Sequence, residues 1–394
     1  MPQLAQSPVA SGAQPIEIAL CQTIADRRQF IEFQWQIYKG DRYWVPPIIS
    51  ERMDFYDKTK NPFFEHSDAQ MFLAKRDGEI VGTIVAIQNN RHNETWNEKT
   101  AFFGGFETIN DDVVATALFD AAKNWARERG FNRLRGPATL SIYDECGLLV
   151  DGFDDEPKLL MTYNPRYYQG MLERHGFYKA MDLWAWWGDT EPSKEVVKGK
   201  WARIVQLAEK RGRFTVRPMN FKDLDNEVEK IKKVFRRAWE QNWGNVPLTD
   251  HELEHVYRQL KQFAEPDLIQ MAEDKHGELI GFSLSLPNVN RPLRMAYPNP
   301  KTPDWLVKLK FFWHWKIRKQ VNSMRFVLLG VLPEHRMGGV DAVMIIKTFE
   351  AMIKKGYDGG ECGWILETND AMNRVIAEGG TRVYKTYRLY DLDI

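Results

Sequence analysis

The chain has 394 residues, 43% hydrophobic and 27% charged, which is enough apolar content for two globular cores. Lys+Arg and Asp+Glu are both 54, so the net charge is zero, and the basic excess of a duplex-binding protein is missing. The three cysteines, Cys21, Cys146 and Cys362, lie far apart, which excludes a disulfide scaffold or a CxxC metal site and leads us to expect a cytoplasmic protein.

Residues 1–15 are small and polar, without a basic region or an apolar stretch, and read as a flexible tail rather than a signal peptide. No window approaches the ~20 apolar residues of a membrane span. Periodicity then predicts a strand at Ile16–Leu20 and a helix at Ala25–Tyr38, followed by an aromatic and Pro-rich loop at Asp41–Pro47. A hairpin turning at Asp77-Gly78 comes next, then a strand at Ala101–Thr108, a helix at Asp111–Arg129 and a final aromatic strand at Met181–Trp187. Residues 191–212 read as a charged helical connector.

The same order then repeats. A strand at Phe214–Arg217 leads to a helix at Asp223–Gln241, a loop at Asn242–Pro247 and a hairpin at Gly277. A strand at Arg325–Val331, a helix at Val340–Lys355 and a last strand at Val383–Tyr390 complete it. Asp77-Gly78 against Gly277, Val45-Pro46 against Val246-Pro247, and Tyr178-Lys179 against Tyr384-Lys385 recur at nearly one offset. This is the pattern of a tandem duplication, with domains at 16–190 and 213–394. Strands alternating with helices imply an α/β (α+β) class, each half a mixed, mostly antiparallel sheet flanked by helices. Two insertions break the symmetry, Leu140–Leu160 in the first half and residues 289–322 in the second; insertions on a repeated scaffold often carry function.

The second half contains Leu328-Leu-Gly-Val-Leu-Pro-Glu-His-Arg336-Met-Gly-Gly339-Val-Asp341, a strand running through Arg-x-x-Gly into a helix. Trp364-Ile-Leu-Glu-Thr-Asn369 precedes another helix that closes at Gly379-Gly380. These motifs and the element order resemble the GNAT N-acyltransferase superfamily in its tandem bacterial form. The resemblance implies acetyl-CoA or a longer acyl-CoA on the turn formed by Val331, His335, Arg336, Gly338, Gly339 and Val340. Orphan N–H groups and the helix dipole at such a turn suit a pyrophosphate. Asp341 departs from the family pattern, and its charge opposes a diphosphate. The matching first-half turn, Asn110-Asp111-Asp112, has no Gly and is self-capped, so cofactor binding is expected in the second half alone.

The resemblance also places a tyrosine one turn before the glycine that closes the last helix; here Leu172 and Ile376 stand at those positions. Glu367 is the candidate general base, with Asn369 beside it. An equal reading makes Asn369 a helix cap and Glu367 a surface charge. Strand N–H groups near Gly330 and Val331 would hold the oxyanion. Trp239, Asn242 and Trp243 would border the acceptor pocket. The loops around His66 and His92 and the acidic turn at 151–156 lack metal-ligand spacing, so no metal is expected. The insertion Asp304–Val321 reads as a helix packed by its Trp313 face, with Phe311 and Trp315 lining the acyl or acceptor pocket as a lid; attachment to a membrane surface is a third reading. The leading function is transfer of an acyl group from acyl-CoA to a small-molecule or lipid amine. The alternatives are a non-catalytic binding protein on a degenerate GNAT scaffold and a peripheral membrane acyltransferase.

Overall fold

The computed structural model describes residues 15–240 and 242–394, so the expected tail, apart from Pro15, lies outside the described residues. The first half supplies β1 (Glu17–Leu20), β2 (Asp68–Arg76), β3 (Glu79–Gln88), β4 (Thr100–Thr108) and β5 (Arg133–Gly136). These are followed by β6 (Ala138–Thr139), β7 (Glu145–Cys146), β8 (Leu148–Asp151) and β9 (Tyr178–Asp189). The second half supplies β10 (Phe214–Pro218), β11 (Ile269–Asp274), β12 (Leu279–Pro287), β13 (Ser323–Val331), β14 (Gly359–Leu366) and β15 (Arg382–Asp393). Among the described residues, one mixed sheet runs β1-β2-β3-β4-β5-β15-β9-β14-β13-β12-β11-β10, with β8 beside β15. Both expected hairpins form, and Asp77, Gly78 and Gly277 take the left-handed conformations that their turns require.

The order contains an exchange. The last strand of the first half, β9, pairs with β14 of the second, and the last strand of the second half, β15, pairs with β5 of the first. β9 and β15 also pair with each other across the centre. The chain segments 16–190 and 213–394 therefore follow one another in sequence but interlock in the sheet. Trp184, Trp186 and Trp187 of β9 lie against the second half, where Trp186 joins a core with Met324, Phe326 and Phe349.

Helices cover the sheet by their apolar faces. Asp112–Glu128 buries Val114, Leu118, Phe119, Ala122 and Trp125, and its counterpart Val340–Lys354 buries Val343, Met344, Ile346 and Phe349. The helix expected at Ala25–Tyr38 is two pieces, Ile24–Glu32 and Gln34–Ile37, which meet at Phe33. The expected connector is two helices, Thr190–Lys198 and Lys200–Arg211. No helix among the described residues is long and apolar enough to cross a membrane.

The insertion helix Asp304–Phe312 continues as a π-helical turn at Trp313–Ile317, and its orientation corrects the expectation. Val307 is 1% exposed, and Phe311 and Trp315 pack on Phe263, Leu286 and Val289. The broader face, Trp305, Leu309, Phe312, Trp313 and Ile317, is more than half exposed. The narrower strip packs because it meets a ready apolar surface, and the richer one is left outward.

Candidate active site

In each half two parallel strands begin together and then part. β13 and β14 pair over Ser323–Phe326 and Gly359–Cys362, and β4 and β5 pair over Thr100–Phe102 and Arg133–Arg135. Beyond these points the facing N–H and C=O groups of the diverging edges have no strand partner across the gap.

In the second half the gap is open. It forms a cleft of about 180 Å³ lined by Val327, Leu328 and Leu329 from one edge and by Gly363, Trp364 and Ile365 from the other. The β12–β13 register shifts at Val327, a bulge that takes one residue out of the ladder beside the cleft. Arg325 closes the floor. It is buried, donates to the carbonyls of Gly363 and Leu159, and pairs with fully buried Glu361 at 3.2 Å.

In the first half the gap is filled by the chain itself. The β6–β7 hairpin enters it; the Gly105 N–H donates to Thr139 Oγ1 (3.1 Å), and a Cβ on Gly104 would lie 2.6 Å from the Thr139 Cα. The tip of this hairpin then reaches across to the second half. Tyr143 hydrogen-bonds Asn245 and packs on Phe235, while Ile142, Tyr143 and Asp144 all line the second-half cleft.

Asp144 is the group that local reading of the sequence missed. Its carboxylate accepts from Ser141 Oγ (2.7 Å), and the residue is half-buried in the cleft wall. Desolvation pushes its pKa up to about 7, against the lowering effect of the Ser141 hydrogen bond, and nearby Glu145 adds to the rise. The only local signal was the insertion at Leu140–Leu160 that carries it.

The expected residues divide. Trp239, Asn242, Trp243 and Asn369 line the cleft, and Asn369 also caps the helix Asp370–Glu378 by accepting from the Met372 N–H. Ile376, at the expected tyrosine position, lines it too, with no hydroxyl to offer. Glu367 is not part of the lining. It accepts from Lys179 Nζ (2.7 Å) and from the Asp182 N–H, which ties β14 to β9, so its placement does not support a role as base. Phe311 and Trp315 are likewise absent from the lining, although their neighbour Leu159 adjoins Leu160, which is part of it.

The turn after β13 is open at its glycines. Gly339 has φ of 78° with nothing within 4 Å of a Cβ, and the helix Val340–Lys354 has no side-chain cap. The first-half helix Asp112–Glu128, by contrast, is capped by Asp111, which accepts from the Val113 N–H. Arg336 donates to the carbonyls of Val331 (3.2 Å) and Ala238 (2.8 Å), so it clamps the strand end to a helix end. Val331 and Val340 bury their side chains and offer only backbone; half-buried His335 is the side chain left beside the turn. Gly330 is covered by the Trp239 ring, which a Cβ there would strike.

No protein-family model matches the chain. Among solved structures, a tandem GNAT protein from the clavulanic acid biosynthesis pathway superposes with a TM-score of 0.53 at 11% identity, covering 96% of this chain and 98% of that one. A GCN5-related N-acetyltransferase from Sphaerobacter thermophilus gives 0.51 at 12%, covering 96% and 95%. At such identities the likeness is one of fold, and that fold is the tandem GNAT fold. Two curated relatives are nearer in sequence. The bacterial ceramide synthase of Caulobacter vibrioides is 33% identical over 377 residues, covering 94% of this chain and 95% of its own. Protein YghO of Escherichia coli is 33% identical over 376 residues, covering 94% and 93%. The chain belongs to the family of these two proteins.

Proposed function

We propose that the protein transfers an acyl group from an acyl-CoA thioester to a long-chain amine, forming an N-acyl amide of the kind named in its ceramide synthase relative. One observation carries this reading: a carboxyl group tuned to about 7 and an unpaired strand edge face the same apolar cleft. The edge of β13 suits the amide-bearing arm of coenzyme A, which can bond to it as a further strand would. The open turn at Gly338-Gly339 suits the diphosphate. Apolar Leu160, Trp364, Ile365 and Met372 suit hydrocarbon on either substrate.

The amine nitrogen attacks the thioester carbonyl carbon. Backbone N–H groups at Val327–Leu329 receive the developing oxyanion, and Asp144 takes the proton that the nitrogen loses. The carbon–sulfur bond then breaks, the amide is released, and the thiolate takes its proton from water, since Ile376 offers none. Asp144 returns its proton to solvent. Asp144→Asn should lower kcat by about 10²–10⁴-fold and remove the acid limb near pH 7, with acyl-CoA affinity by calorimetry unchanged. Glu367→Gln should leave kcat near wild type. Full turnover in Asp144→Asn would overturn the assignment.

A further inference from the structure

The insertion helix presents an outward stripe that the described residues leave more than half exposed. Trp305 is 68% exposed, Leu309 57%, Phe312 51%, Trp313 53% and Ile317 54%. Their spacing puts them on one face, and the π-helical turn keeps Ile317 in line with Trp313. A contiguous aromatic stripe of this kind is rare on a protein with nothing to bind. The preceding helix, Asn290–Ala296, packs against it and adds exposed Met295, with exposed Tyr297 just beyond its end.

The charge around the stripe selects the partner. Lys308, Lys310, Lys316, Arg318 and Lys319 are exposed and interleave with it; none of them forms an ion pair among the described residues. Asp304 is the one acid in the segment, and it accepts from the Ser50 N–H. Lys316 Nζ lies 3.7 Å from the Trp315 ring centroid, the posture of a long cation whose stem lies along apolar surface. A protein partner would have to offer apolar and acidic groups in alternation. The surface of an anionic bilayer offers both at once, acyl chains below and phosphates above.

We infer that residues 304–319 dock the enzyme on anionic membrane surfaces, with Trp305, Phe312 and Trp313 in the headgroup–acyl boundary and the lysines on the phosphates. The inner strip of the same helix packs on Leu159, and Leu160 is 42% exposed while lining the cleft. The docking face and the cleft wall are thus linked through two adjacent residues, an arrangement suited to a substrate that arrives from a bilayer. The docking itself does not rest on the acyl-transfer reading.

The test is flotation of the full chain with vesicles of phosphatidylcholine alone and of phosphatidylcholine with an equal part of phosphatidylglycerol, read without turnover. The wild type should float with the anionic vesicles and be released by salt. Trp305→Ser with Trp313→Ser should weaken partitioning by at least about tenfold, and Lys308→Glu with Lys319→Glu should remove the preference for phosphatidylglycerol. All four positions are exposed, so thermal melting should stay unchanged and serves as the control for folding. A wild type that stays in solution, or variants that float equally well, would overturn the proposal. A stable dimer in sedimentation that the tryptophan variants dissolve would also overturn it, by assigning the face to a second copy.

Discussion

The two strand gaps of the duplicated scaffold have opposite fates. The β4–β5 gap is closed by its own downstream hairpin, and the β13–β14 gap stays open. The helix after the closed gap is capped by Asp111; the helix after the open gap begins at an uncapped left-handed glycine. The closed half is nevertheless more than a spacer. The hairpin that plugs one gap places Asp144 on the wall of the other, so filling the first gap supplies a wall and a carboxylate to the second. Duplication makes this economical, because two equivalent gaps lie in one sheet and the exchange of β9 and β15 holds them in register.

This contrast can be broken at the two helix starts. Gly339→Asp should weaken coenzyme A binding by about 10²-fold in calorimetry, since it places a charge where the helix dipole would hold a diphosphate. Gly339→Asn also tolerates a positive φ, is nearly isosteric and carries no charge, and should keep most of the affinity. Equal loss in both would mean that shape, not charge, is read there. In the first half, Asp111→Ala should leave the affinity untouched and cost about 1 kcal/mol through the lost cap.

The glycine beneath the closed gap sharpens the comparison. Gly104→Ala drives a Cβ into the Thr139 backbone and should destabilise by about 1–3 kcal/mol in chemical denaturation. Relief requires the hairpin to shift, so kcat should fall with no change in coenzyme A affinity. If kcat is unaffected, the plug in the first half and the carboxylate in the second are not coupled.

The smallest expected effect is a slope. Glu107, at the end of β4, is buried, and both Tyr38 and Tyr168 donate to it. Desolvation lifts its pKa from 4.5 to about 8 despite those hydrogen bonds. Between these values the folded chain keeps a proton that the unfolded chain has released, so this group makes stability fall as pH rises through the window. Glu107→Gln should flatten that fall in denaturation midpoints measured from pH 4.5 to 8.

Local pattern was enough for the duplication, the hairpins at Asp77-Gly78 and Gly277, the paired helices that start near Asp112 and Val340, and the family resemblance. The hairpins and helices depend on residues within one or two turns of each other, where periodicity, turn chemistry and capping act, and the duplication and the resemblance follow from the order in which such local signals recur. Trp239, Asn242, Trp243 and Asn369 could be placed near a cleft because they follow elements that always end at that side of the sheet. Three features required the folded chain. The exchange of β9 and β15 is a choice between two similar aromatic strands competing for the same edges, and no local propensity separates them. The outward face of 304–317 was decided by which strip met Phe263 and Leu286, not by which strip was more apolar. Asp144 looks in sequence like any turn aspartate. It becomes a candidate base only because a hairpin from one half carries it into the cleft wall of the other, and desolvation is a property of what surrounds a group rather than of the group itself.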